Sequence, residues 1–308
     1  MGKRQTSTVL IPLPRRDYDP SEVALSWQLL TQAGHRVCFA TPDGRPSAPD
    51  RRMLSGEGLD LWGCVPILRR IRLLGLALRA NREARLAHAR MLTDPAYAAP
   101  LRLEALRVAD FGGLLLPGGH CAGGMREYLE DRLLQHFVGA FFDSGKPVAA
   151  ICHGVVLAAR SRSATTGRSV LFGRRTTALT WKLESTAWRL MKFAGRVWDP
   201  GYYRTYLEQP GEPAGYRGVE AEVTRALASP DHFLDVPQGA PDRFRKASGL
   251  FRDNASDSRP AWVVRDGNYV SARWPGDLHA FVGAFAGLLE GCEAGVDPGP
   301  PRESARTG

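Results

Sequence analysis

Four short apolar runs bounded by turn residues recur in the first half of the chain: STVLIPL (7–13), HRVCFAT (35–41), FGGLLLP (111–117) and KPVAAIC (146–152). Runs of this kind predict buried strands. Stretches of helical period lie between or after them: SEVALSWQLLTQAG (21–34), MREYLEDRLLQHFVGAFFDSG (125–145) and VVLAARS (155–161). Strands alternating with helices predict an α/β fold, a parallel sheet covered on both faces. Further on, TTALT (176–180), GVEAEV (218–223), PAWVVRD (260–266) and YVSAR (269–273) read as strands, and PGDLHAFVGAFAGLLEG (275–291) as a closing helix. The Gly-, Pro- and Arg-rich tail 292–308 predicts disorder, and no internal repeat is visible.

Two stretches break the rhythm. Within 44–108, ILRRIRLLGLALRANREARLAHARML (67–92) reads as a basic helix with Ile67, Ile71, Leu74 and Leu78 on one face. The favoured reading is a helix capping one sheet edge, the sharper one a surface for anionic lipid or a partner. The second stretch, 181–260, starts as a helix (WKLESTAWRLMKFAG), then turns polar and irregular around Tyr202-Tyr203-Arg204-Thr205-Tyr206. Long irregular inserts serve as lids or interfaces. The pattern therefore predicts one elaborated domain over 1–291 with inserts near 44–108 and 181–260.

Composition alters this picture little. A chain of 308 residues, 44% hydrophobic and 24% charged, matches an ordinary globular protein. No apolar run approaches the roughly 18 residues that a membrane span needs. The N-terminal apolar stretch runs into Pro-Arg-Arg and makes no signal peptide, so a cytoplasmic protein is expected. The net charge of +9 invites nucleic acid, but the basic residues are scattered and form no reading motif. Nucleic-acid and membrane partners are both read as disfavoured. Five cysteines, Cys38, Cys64, Cys121, Cys152 and Cys292, form an odd set without C-x-x-C spacing, which points to a free thiol.

That thiol is placed by KPVAAICHGVV. A strand ending at Cys152 and a helix starting after Gly154 make a strand–turn–helix, the geometry of a nucleophile elbow. Small neighbours, Ala150 and Gly154, permit the sharp bend, and the helix end favours a thiolate. A cysteine merely packed on an apolar strand needs no glycine two residues later. His153 is expected to contribute its backbone N–H more than its imidazole. LLLPGGHCAGG (114–124) sets Gly118 and Gly119 at a strand end, where amides can face an oxyanion, although Pro-Gly-Gly is also a plain turn. In DYDPSEVA (17–24), Asp19, Pro20 and Glu22 form a helix start of capping-box type, so Glu22 alone reads as a cap. Together the three pieces bring a thiol, a carboxyl and amide donors to the carboxyl ends of the strands.

PSEVALSWQLLTQAGHRVCFATPDG, DFGGLLLPGGH and KPVAAICHGVV, in that order, resemble the ThiJ/PfpI superfamily. This is the class I glutamine amidotransferase-like group that includes the Parkinson-associated deglycase and bacterial glyoxalase III chaperones. The resemblance covers about 8–180 and resumes at 263–277. It implies a flavodoxin-like three-layer sandwich with Cys152 as nucleophile and Glu22 as the acid bonded to its sulfur. Gly119 and His153 would supply oxyanion donors, while the Pro-Gly-Gly-His motif, with Gly118 and His120, points to the cofactor-free glyoxalases and chaperones. Members often form homo-oligomers. Two departures stand out. His232 and His279 have no acid at the spacing of a glutaminase triad. Thr177-Ala178-Leu179-Thr180, with Glu184 the nearest acid, offers no third member of a Cys-His-Asp set.

The leading expectation is an enzyme without cofactor or metal whose thiolate attacks a small carbonyl substrate to give a hemithioacetal. A cysteine hydrolase acting on amides or isonitriles uses the same thiol, and a redox sensor or chaperone without turnover is the competitor of another class. In the last case Cys121 could act as a resolving thiol, although a plain space-filling role is favoured. His120 reads as a loop histidine rather than a metal ligand.

Overall fold

The computed structural model describes residues 6–291, and the tail expected to be disordered lies outside the described residues. The strands are β1 (Thr8–Pro12), β2 (Arg16–Tyr18), β3 (Arg36–Thr41), β4 (Ala48–Pro49), β5 (Leu101–Arg102), β6 (Gly113–Leu116), β7 (Val148–Ile151), β8 (Val263–Asp266) and β9 (Tyr269–Ala272). Seven of them form one sheet in the order β5-β3-β1-β6-β7-β9-β8, while β2 and β4 pair separately. Only β8 runs antiparallel, joined to β9 by a tight turn in which Gly267 has φ +59°.

The helices cover both faces. The first half contributes α1 (Pro20–Gln32), α2 (Arg51–Ser55), α3 (Leu74–Leu78), α4 (Arg82–Met91), α5 (Pro95–Ala98), α6 (Ala122–Glu130) and α7 (Arg132–Asp143). The rest are α8 (His153–Arg160), α9 (Trp181–Ala194), α10 (Val219–Ala226), α11 (Arg243–Ala247) and α12 (Leu278–Gly291). Side chains alternate across the strands, so Val9, Ile11, Ala149 and Ile151 pack on α1, α4 and α12. Leu10, Val148 and Ala150 pack on α6, α7, α8 and α10. Burial on both faces is why these strands read as continuous apolar runs.

Four expectations need correction. GVEAEV is helical in α10, because Val219 and Val223, four apart, share its buried face while Glu220 and Glu222 occupy the first turn. TTALT forms no strand: the outer side of β9 is already taken by β8, so Thr176 makes an isolated bridge to Phe233 and the Thr177 amide bonds Ser271 Oγ at 3.0 Å. The stretch 125–145 is two helices, interrupted at Asp131, whose extended backbone and side-chain bond to the Leu134 amide restart the chain as α7. The basic stretch 67–92 breaks into a 3-10 turn, α3 and α4. Asp60 caps α3 through the amides of Leu73, Leu74 and Gly75, Asn81 caps α4, and Ile67 is left 84% exposed.

Candidate active site

Cys152 sits between β7 and α8 with φ 55° and ψ −124°, a backbone that an L-residue rarely adopts. Neighbouring backbone holds the strain: the Cys152 amide donates to Ala272 O at 3.2 Å, and the Val155 amide to Cys152 O at 3.2 Å. Glycine is required at Gly154 because the end of β6 passes there; a Cβ would fall 2.0 Å from Leu116 O.

Gly118 fastens the elbow to α1. Its amide donates to Glu22 Oε2 at 2.7 Å and its carbonyl accepts from the Asp19 amide at 2.9 Å. A side chain there would strike the His153 amide at 2.6 Å and Cys152 Cβ at 3.1 Å. The helix cap is Asp19 alone, whose Oδ1 accepts from the amides of Ser21 and Glu22. The Glu22 carboxyl therefore makes no capping box; it turns inward to the Gly118 amide, on the side where Gly118 also meets Cys152, and is 1% exposed.

Burial dominates the electrostatics. It pushes the Glu22 carboxyl well above the carboxylate range, with help from Asp19, while the Gly118 amide, the Cys152 side chain and Arg252 pull the other way. The Cys152 thiol is also pushed up, first by burial, then by Glu22 and Asp19, against the His153 amide. Two buried acids side by side resist ionising together, so the loss of each proton depends on the other and the titration belongs to both groups. The helix N-terminus therefore does not by itself ionise the sulfur.

The His153 imidazole does not diverge from the sulfur. Its Nδ1 lies 3.5 Å from Sγ and its Nε2 2.9 Å from Thr205 Oγ1, because the strained elbow turns both side chains to one side. Burial holds this ring neutral, its pKa drawn down to about 3.

Both inserts reach this place. The His120 ring stacks on Tyr203 with centroids 4.4 Å apart and meets Tyr202 edge-on. The Tyr202 hydroxyl donates to Asp50 Oδ2 at 2.6 Å, and His120 Nε2 lies 3.9 Å from the same oxygen. Arg204, fully buried between Trp181 and Trp188, forms an ion pair with Glu184 at 3.0 Å and donates to Glu208 at 2.5 Å, which holds the segment that carries Thr205 to His153. Cys121 caps no amide with its side chain and packs near Met53, Tyr202 and Tyr203; burial, then Asp50 and Asp17, push its thiol up to about 12. Among the described residues, no three His, Cys, Asp or Glu side chains form a group fit to hold a metal.

The sulfur lies under this cover, with Cys152 only 4% exposed. An open cleft of about 710 Å³ lies at the other end of α8, lined by Arg160, Arg162, Arg168 and Arg225, and touches none of these groups. Among the described residues no helix is long and apolar enough to cross a membrane. Tyr202, Tyr203, Thr205, Arg252 and Trp274 were not singled out as site residues by sequence reasoning, and only the aromatic–arginine cluster gave a signal.

Comparison with known proteins points the same way. A family profile described as ThiJ/PfpI family-like matches residues 13–209. Protein/nucleic acid deglycase 2 of Escherichia coli (strain K12) is 38% identical over 77 residues, covering 25% of this chain and 39% of that protein. An uncharacterized protein of Archaeoglobus fulgidus is 43% identical over 54 residues, 18% of this chain and 30% of that one. The chain thus spans well under half the length of these curated relatives. The solved structure of glyoxalase III from Candida albicans superposes with a TM-score of 0.52 at 15% identity, covering 91% of this chain and 96% of that one.

Proposed function

The chain belongs to the ThiJ/PfpI family, and from that premise we propose that it is a cofactor-independent, cysteine-dependent enzyme acting on reactive carbonyl compounds. The observation that carries this reading is the buried Glu22 carboxyl set beside a cysteine strained on its elbow, so that a Cβ at Gly118 would meet Glu22 Oε2 at 3.2 Å and Cys152 Cβ at 3.1 Å. A deglycase among the relatives and a glyoxalase III among the structures of like fold support it.

For a 2-oxoaldehyde the steps balance as follows. The Cys152 thiolate attacks the aldehyde carbon, and the carbonyl electron pair moves to oxygen, giving a hemithioacetal. The developing oxyanion faces the amides of Gly119 and His153. Glu22, which holds the pair's proton while the sulfur is a thiolate, gives it to that oxyanion. The resulting carboxylate takes the proton from the former aldehyde carbon and returns it to the adjacent carbon while the hydroxyl proton passes to the neighbouring oxygen, leaving a thioester of a 2-hydroxy acid. Water then cleaves the thioester, releasing the hydroxy acid and restoring the thiol. Gly118 serves by holding Glu22, its amide already engaged there. Thr205 and His153 close the site against bulk water, and the insert must move for substrate to enter.

The same reading takes the protein as cytoplasmic and, as the family resemblance implies, homo-oligomeric, with nucleic-acid and membrane partners disfavoured. A panel of methylglyoxal, glyoxal, simple amides and glutamine tests it, without added cofactor. Lactate formed from methylglyoxal is the expected result. Ammonia from the amides, with methylglyoxal untouched, would replace the carbonyl reading by the hydrolase one. A redox-sensing role would pair Cys152 with Cys121, and peptide mass spectrometry after mild peroxide tests it: a Cys121–Cys152 bridge supports sensing and its absence argues against it.

A further inference from the structure

Around the Glu22–Cys152 pair, several buried polar atoms have no hydrogen-bond partner: Glu22 Oε1, His120 Nε2, Arg252 Nη1 and Trp274 Nε1. Buried polar groups are nearly always satisfied, so orphans gathered at one place mark where a polar ligand completes the set. Two of the four, the guanidinium and the indole nitrogen, can only donate.

The chain takes care to place these two. Arg252 lies near the end of the second insert, and the next residue anchors it: the Asp253 amide donates to Gly276 O at 2.8 Å. The Asp253 carboxylate accepts from the amides of His279 and Ala280 at the start of α12. Trp274 follows β9, the strand beside the elbow strand β7. Its ring lies flat on Gly276, where a Cβ would fall 2.3 Å from Cζ2. The Arg252 guanidinium then sits 5.4 Å from the Trp274 ring centre. Its charge is felt by Asp19, Tyr203 and Glu22, against the burial that disfavours it. No described group accepts from its Nη1, although desolvating a guanidinium without a full set of acceptors is unfavourable.

We propose that Arg252 and Trp274 together receive a carboxylate carried by the substrate beside its 2-oxo group, on the side away from the aldehyde. A carboxylate has two oxygens and accepts without donating, which suits two neighbouring side chains that only donate. It also brings a negative charge to a cation whose field reaches Glu22. The inference rests on the carbonyl reading for its substrate, but its test does not depend on turnover.

The test is calorimetric titration of the Cys152→Ala protein with pyruvate, whose carboxylate adjoins a carbonyl, and with acetone as the uncharged comparator. Saturable pyruvate binding, without acetone binding, is expected. Adding Arg252→Gln should weaken it roughly tenfold or more, and Trp274→Phe, which keeps the ring and removes the N–H, by a smaller factor. Arg252→Lys, which keeps the charge, should recover part of the loss and controls for folding. Pyruvate binding unchanged by both Arg252→Gln and Trp274→Phe, or no pyruvate binding at all, would overturn the proposal. Neither outcome bears on whether Cys152 is the nucleophile, which turnover in the wild-type protein decides.

Discussion

Replacing Cys152 by alanine is expected to reduce 2-oxoaldehyde consumption by at least roughly a thousandfold, or about 4 kcal/mol of transition-state stabilisation. The size follows from the role. Without sulfur there is no covalent adduct, and the remaining amides and carboxyl have nothing to polarise. Alanine should fit the backbone no worse than cysteine does, since both bear a Cβ at φ 55°. Stability should therefore change little beyond the lost packing of one sulfur. Initial rates with methylglyoxal and a thermal melt, measured on the same preparation, check both halves. Turnover at the wild-type rate would remove Cys152 from the chemistry.

Glu22→Gln is expected to have the second largest effect. A positioned acid–base contributes about 10²–10⁴-fold, and glutamine can still accept from the Gly118 amide while moving no proton. Loss of kcat should therefore come without loss of the fold. The pH dependence of stability separates this from a structural role. Burial raises the Glu22 carboxyl in the folded chain, so between its ordinary value of 4.5 and its folded value the native state holds more protons than the unfolded one. Stability must then fall as pH rises through that window. The glutamine variant lacks this slope. It should melt at or above the wild-type temperature at pH 8 and lose the difference below the ordinary carboxylate range. A variant that melts lower throughout would make Glu22 a structural residue instead.

Much of this was legible in the chain because it is local. The elbow is encoded within a few residues, since only a glycine at Gly154 lets the β6 carbonyl pass so close. The sheet was legible for a related reason: strands buried on both faces leave unbroken apolar runs. Glu22 was ambiguous, as any acid three residues beyond a capping aspartate reads as part of the cap. Its carboxyl departs from that role only because Gly118, 96 residues away in sequence, offers an amide.

The cover over the site was not legible. Tyr202 meets Asp50 across 152 residues and Thr205 meets His153 across 52, contacts that leave no periodic trace in either insert. GVEAEV misled because valines at alternate positions also lie four apart, so a strand and a helix fit the same short run. TTALT has strand-like composition, and only the β8–β9 turn decides that the sheet has no place for it.

The coupled titration of Glu22 and Cys152 is tested most directly by the rate of Cys152 alkylation by iodoacetamide against pH, with site occupancy read by peptide mass spectrometry. The wild-type protein is expected to rise in two steps, one for each proton lost by the pair, and Glu22→Gln in a single step. A single step at the same midpoint in both proteins would mean that the carboxyl and the sulfur do not titrate together, and the proton relay built on them would fall.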